Sequence, residues 1–387
     1  MFAEGNTPAE TAEILNRDLL KISAWAAKWK VKFNPDKSKE MIFSSKNFND
    51  SPPIIFNNFQ VKRVVEHKHL GIWLTPTLSW SRHVHHICMK ANSKLSVLRS
   101  IKYLSRPVLD ILYKQQIRSV IDYGMVVFYG SLNQSDIAKL DRIQYRSAKI
   151  VSGALHCTSR IKLDNDLGWE SLAERYELLG LSLFHKIAHN NVRPLLRSLL
   201  PKAKDKKYNT RSNDEYENFP RPNEKYYSSF FPHFTRSWNN LDKLVRDDQD
   251  HLNFKANLKL KLKPPKYRHF KYGDKYINSL MCQLRVGRSH LNADRFKIGH
   301  SDTDRCECGQ KETVAHFFVC AKYKAQQEIL HSKFNDVIPK FKNLSNAKKL
   351  EIFLFGYNLQ SEEYDCRNIP LTFAVQKYVL STKRFSQ

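Results

Sequence analysis

No stretch of this chain approaches the ~20 consecutive apolar residues that a membrane-spanning helix requires, which argues against a transmembrane role. The first residues, MFAEGNTPAE, are acidic and hold no apolar core segment, so they do not read as a secretory signal. Cysteine is sparse and odd in number. Seven in 387 residues do not look like a disulfide framework and suit a reducing, intracellular setting, with nothing to separate nucleus from cytoplasm. Catalytic signatures are missing as well: there is no Gly-rich phosphate loop, G-x-S-x-G elbow or H-E-x-x-H helix. Negative charge is short too, with 38 Asp plus Glu against 64 Lys plus Arg.

What is present follows from that imbalance. A formal charge of +26 exceeds what solubility needs and favours a polyanion as partner, the alternative being a ribosomal or otherwise basic soluble protein. Hydrophobic residues at 41% and aromatics at 12% supply packed cores, and the length predicts two to three domains.

Thr7, Pro8 and Glu10 form a helix start: a hydroxyl cap, a proline at the first helical position and a carboxylate three residues after the cap. Leu15, Leu19, Ile22, Ala26 and Trp29 then recur at helical spacing up to Asn34 and Pro35, and the strand bearing Met41 and Phe43 is the nearest packing partner. Lys39 to Ser44 and Val61 to Leu74 alternate like strands around a turn-rich loop. Three helices follow. The first has an apolar face of Val84, Ile87, Ala91, Leu95 and Leu98 opposite Arg82, Lys90, Lys94 and Arg99. The second covers Arg106 to Val120, and the third is capped by Ser135. Such helices suit a grip on a phosphate backbone, while a plain bundle with a solvated face remains the alternative for each. Pro201 to Pro222 reads as an exposed loop. Beyond it, Lys255 to Tyr276 interleaves cations (Lys259, Lys261, Lys263, Lys266, Arg268) with rings such as Tyr267, the mixture that contacts phosphates and stacks on bases.

Cys306, Cys308, His316 and Cys320 give the spacing C-x-C-x7-H-x3-C. Three thiolates and an imidazole fill every position of a tetrahedral structural zinc site. Gly309 allows a sharp turn after the first pair, and a helix expected over Thr313 to Gln327 would set His316 and Cys320 one turn apart on one face. The alternative is a set of buried thiols beside a surface histidine. His83, His85 and His86, near His67 and His69, match no ligand spacing and read as a polar helix entry. Asp242, Asp247, Asp248 and Asp250 read as a solvated face.

Several blocks carry a resemblance. WKVKFNPDKSKEMIF, EHKHLGIWLTPTLSWSRHV, LDRIQYRSAKIVSGA, FFPHFTRSWNNL, LRVGRSHLN and the Cys/His knuckle together resemble LINE-type (non-LTR) retrotransposon reverse transcriptases, in that family's order. The resemblance implies an α+β chain: partial polymerase palm strands, then a mainly helical thumb and connector and a small zinc knuckle. It assigns residues 1–78 to the palm end with a primer-grip hairpin and 79–155 to the thumb. Residues 156–280 become a basic connector, 281–330 the knuckle region and 331–387 a C-terminal tail. Lys37 matches the lysine that in related polymerases protonates the leaving pyrophosphate, an accessory general acid. Leu70, Gly71 and Ile72 match the hairpin that positions the primer 3′ end, and the four knuckle residues match the family's zinc ligands.

The departure is that this sequence looks as if it starts just past the family's (F/Y)-A-D-D turn, so the aspartates that hold two magnesium ions are not in it. The resemblance therefore implies a fragment of an RNA-directed DNA polymerase. It would bind RNA, DNA or an RNA–DNA hybrid, carry structural zinc, and need magnesium only within a complete polymerase. It would be inactive unless joined by the missing polymerase portion. A non-enzymatic nucleic-acid-binding protein derived from such an element is the alternative.

Overall fold

The structure is a computed structural model that describes residues 1–44, 51–189, 192, 194–203, 216–262, 270, 272–358 and 366–385. Among these helix predominates and strands are few and short, which is compatible with an α+β chain. No helix among them is long and apolar enough to cross a membrane. The chain divides into two compact units, Met1–Ile87 with Ser131–Asp136, and Cys88–Gly130 with Ile137–Gln387.

In the first unit, helix α1 (Pro8–Lys28) starts where its cap signal lies. Thr7 Oγ1 accepts the Glu10 amide at 3.2 Å, and the Glu10 carboxylate accepts the Asn6 amide at 2.9 Å. Asn16 then ties the helix to the strand layer, donating to Pro53 O and accepting the Ile55 amide. The strands are β1 (Lys39–Glu40), β2 (Ile55–Phe56), β3 (Phe59–Gln60), β4 (Lys62–Arg63), β5 (His67–His69) and β6 (Ile72–Leu74). β1 pairs parallel with β4, while β2–β3 and β5–β6 are antiparallel hairpins.

Both hairpins close through two residues at positive φ, the geometry whose twist matches that of paired strands. Asn57 and Asn58, at 50° and 65°, are residues that tolerate it. Leu70, at 46° before Gly71 at 85°, is not, since a Cβ in the left-handed region costs about 1–2 kcal/mol.

The second unit is helical. Arg106–Leu112 runs through a π-helical segment, Tyr113–Arg118, into Ser119–Asp122. Tyr113 stacks on Trp169 with ring centroids 3.8 Å apart, and its hydroxyl donates to Gln144. Helix Gln134–Ser152, whose first residues belong to the first unit, starts one residue before the expected Ser135 cap, because Asn133 Oδ1 accepts the Asp136 amide at 2.8 Å. Helix Leu172–Ala188 opens with a full capping box of Ser171 and Glu174.

Helices Lys275–Val286, Lys324–Val337, Asn346–Phe355 and Asn368–Ser381 surround a core that includes Met281, Phe317, Phe334, Phe353 and Tyr378. Residues after 330, read from the sequence as a tail, thus supply three helices' worth of apolar side chains to that core. The expected helix over Thr313 to Gln327 is instead Val314–Phe317, a 3₁₀ turn at Ala321–Tyr323, and Lys324–Val337. The break has a physical reason. Phe317, Phe318, Cys320 and Tyr323 are all buried in the core, and at about 100° per residue they would spread over more than half the circumference of one continuous helix.

Candidate metal centre and basic cleft

Cys306 and Cys308 sit on a tight turn. The Cys306 amide donates to Gln310 O at 2.7 Å, and the Gly309 amide donates back to Cys306 O at 2.8 Å. Gly309 takes φ 86°, where a side chain would be strained. Thr313 caps the helix Val314–Phe317 by accepting the His316 amide, which fixes the imidazole one turn before Cys320.

The four ligand atoms lie within 4.8 Å of one another. Cys306 Sγ is 3.8 Å and Cys308 Sγ 3.7 Å from Cys320 Sγ. A tetrahedral zinc with Zn–S of about 2.3 Å requires S···S edges of about 3.8 Å, and a mixed S···N edge of about 3.6 Å. His316 Nε2 is 3.2 Å from Cys308 Sγ, so it faces the same centre. The donor set and its spacing can therefore hold a metal such as zinc. Burial pushes the Cys320 thiol up to about 11, whereas the Gln310 backbone N–H at Cys308 pulls that thiol below its usual value. A cation at the centre favours the thiolate form of both.

The surroundings brace the turn. Tyr378 Oη donates to Phe317 O at 2.7 Å, and Arg384 binds the Glu312 carboxylate through Nε and Nη2 at 2.6 and 2.7 Å. Glu312 also accepts the Asn292 amide at 2.6 Å. None of these partners stood out in the sequence, because each pairing spans between 20 and 72 residues.

A second feature of this unit is an open cleft of about 1120 Å³. The end of the helix Ser81–Ser100 and the residues after it contribute Arg99, Lys102 and Tyr103. The last turns of Gln134–Ser152 contribute Arg146 and Lys149, and the start of Lys275–Val286 contributes Lys275 and Tyr276. Among the described residues no carboxylate pairs with Arg99, Lys102, Arg146 or Lys149, so the wall is electropositive. Lys275 is turned away from solvent. Its Nζ donates to Ile150 O at 2.9 Å and Val151 O at 2.5 Å, closing the C-terminal end of a helix, and burial with Arg106 nearby lowers it to about 8.

The sequence candidates are spread more widely. Lys37 ends the 3₁₀ turn Pro35–Lys37 and is exposed. Leu70 and Gly71 form the β5–β6 turn, Leu70 being 77% exposed, and Ile72 begins β6. Arg82 pairs with Glu66 and lies over the Trp73 ring. Lys90 is exposed, and Lys94 donates to Gln116. Lys259 lies 3.9 Å from Glu170, and Lys261 pairs with Asp242 at 2.6 Å. Lys263, Lys266, Tyr267 and Arg268 lie outside the described residues, as does most of the loop expected near 201–222. Of the expected nucleic-acid contacts, Arg99 alone among those described lines the cleft. Arg146 and Lys149, at adjacent turns of one helix, were the readable signal for the rest.

No protein-family model matches the chain. Over 151 residues, 38% of the chain, it is 27% identical to a probable RNA-directed DNA polymerase from the transposon X-element of Drosophila melanogaster, covering 16% of that protein. Over 174 residues, 44% of the chain, it is 24% identical to the RNA-directed DNA polymerase from mobile element jockey of the same species, covering 18% of it. The jockey polymerase of Drosophila funebris is 24% identical over 158 residues, 38% of the chain, with 16% of its own length covered. The curated homologues of this chain are therefore non-LTR retrotransposon RNA-directed DNA polymerases, at low identity. The chain spans less than a fifth of their length.

Proposed function

We propose that this chain is a nucleic-acid-binding portion of a retrotransposon reverse transcriptase. The observation that carries the reading is the cleft, whose exposed cations Arg99, Lys102 and Arg146 converge with no carboxylate partner among the described residues. A wall of that kind suits phosphates. In this reading residues 1–78 are the palm end, 79–155 the thumb, 156–280 the connector and 281–330 the knuckle, followed by 331–387. The exposed Leu70, held at positive φ on a hairpin tip, suits a primer-grip role with Gly71 and Ile72, and Lys37 is the accessory acid. Zinc at Cys306, Cys308, His316 and Cys320 is structural, because four protein ligands leave no position for a reacting water.

The reading gives the chain no synthesis of its own. Two-metal phosphoryl transfer needs clustered carboxylates, and the blocks that carry the resemblance do not include the family's (F/Y)-A-D-D turn. RNA, DNA or their hybrid is the partner, and the rest of a polymerase would supply the magnesium site. A mobility-shift assay with a polynucleotide of about 30 nucleotides, run beside primer extension in magnesium, tests both halves. The expected result is a retarded band without extension. No retardation at low salt overturns the binding, and robust extension overturns the inactivity.

A further inference from the structure

The basic cleft is also lined by two tyrosines. Tyr103 is 71% exposed and Tyr276 is 51% exposed. An exposed ring beside a phosphate-attracting wall offers a flat apolar surface on which an unstacked base can lie. A duplex keeps the faces of its bases inside its own stack and presents phosphates and groove edges instead. Phosphate attraction alone would need no rings.

The two rings are held differently. Tyr276 Oη donates to Phe385 O at 2.6 Å, and the residue lies in the first turn of a helix whose cap, Asp274, accepts the Ile277 amide at 2.9 Å. Its ring is thus set in place before any ligand arrives, which reduces the ordering cost of binding. Asp274, the one carboxylate lining the cleft among the described residues, is committed to that cap and faces the backbone. Tyr103 follows Arg99 by four residues, so a cation and a ring are presented from one short stretch.

We propose that this cleft takes a single-stranded nucleic acid segment, with bases stacked on Tyr103 and Tyr276 and phosphates held by Arg99, Lys102, Arg146 and Lys149. The inference rests on the nucleic-acid reading above and narrows it to unpaired strands. Both RNA and DNA strands offer the required chemistry, so both are used as probes.

The test is fluorescence anisotropy of the full, zinc-loaded chain with labelled single strands of RNA and of DNA, each about 12 nucleotides long, and with the matching duplexes. The expected result is tighter binding of at least one single strand than of its duplex. Tyr103→Ala should then weaken single-strand binding by about 5- to 150-fold, the range that one base–aromatic stack supplies, while duplex binding changes less than about twofold. Tyr276→Ala should likewise weaken single-strand binding, and Tyr276→Phe, which keeps the ring but loses the hydrogen bond that holds it, should weaken it less than Tyr276→Ala. Tyr103 is largely exposed, so its truncation leaves the fold intact, and an unchanged melting midpoint verifies that. Duplex bound as tightly as single strand, or no effect of Tyr103→Ala, overturns the single-strand assignment and leaves the nucleic-acid reading standing. No binding of any probe overturns both.

Discussion

Arg384 grips Glu312 through two nitrogens, at 2.6 and 2.7 Å from the two carboxylate oxygens, and the Glu312 side chain is only 3% exposed. The pair fastens the last described residues to the stretch of chain that leads from the Cys306 turn to His316. Burial makes the pair asymmetric in its consequences. Removing Arg384 strands a buried carboxylate, so Arg384→Ala should destabilise the C-terminal helices by about 3–5 kcal/mol in urea unfolding. Adding Glu312→Gln should recover part of that loss, since no unpaired charge then remains.

The metal centre makes an independent expectation. Elemental analysis of protein purified without chelator should find about one zinc per chain, falling towards zero in Cys308→Ala with His316→Ala. Because Cys306 and Cys320 belong to the same buried cluster as Phe317, Phe334 and Phe353, chelation should also lower the thermal midpoint of this region. Zinc-free protein of unchanged stability would refute the structural role.

Acid should weaken the first unit. Trp73 donates its amide to His83 Nδ1 at 3.5 Å, so that nitrogen must be unprotonated. Burial, with His86 and Lys68 adding positive charge, lowers the His83 pKa to about 4 from 6.5. A depressed histidine contributes stability in full above its unfolded value, and that contribution is lost as pH falls from 6.5 to about 4. Urea titrations at about pH 7, 5.5 and 4 should show this decline, and His83→Asn should flatten it over the same window.

A glycine inside a helix usually costs stability, yet Gly180 should resist replacement. A Cβ there would overlap the ring of the fully buried Phe234. Gly180→Ala gains about 1 kcal/mol of helix propensity but forces apart a packed pair, which costs about 1–3 kcal/mol or more. A net loss of stability is expected, with recovery on pairing it with Phe234→Leu.

Local signals were legible in the sequence where the structure is local. The Thr7–Glu10 cap lies where its residues place it, and the C-x-C-x7-H-x3-C spacing brings four donors to one point. Elsewhere distant packing decides. Asn133, not Ser135, caps its helix, and burial of Phe317, Phe318 and Cys320 breaks the helix expected through them. Tyr378 and Arg384 look like tail residues in the sequence because their partners, Phe317 and Glu312, are 61 and 72 positions away. The cleft is half visible. Arg99 stands on a basic helix face, but nothing in the order of residues shows that it meets Arg146 and Tyr276.

Charge reversal in the cleft tests the proposed function most directly. Arg146→Glu with Lys149→Glu changes two cleft-lining side chains on one helix, neither of them buried, so the fold should persist. Polynucleotide affinity measured from about 50 to 300 mM salt should fall roughly tenfold or more at the low end, and the log–log salt slope should shrink by roughly 0.7 for each phosphate that the chain no longer neutralises. Affinity and slope unchanged from the parent chain would contradict the assignment of this cleft as the nucleic-acid site.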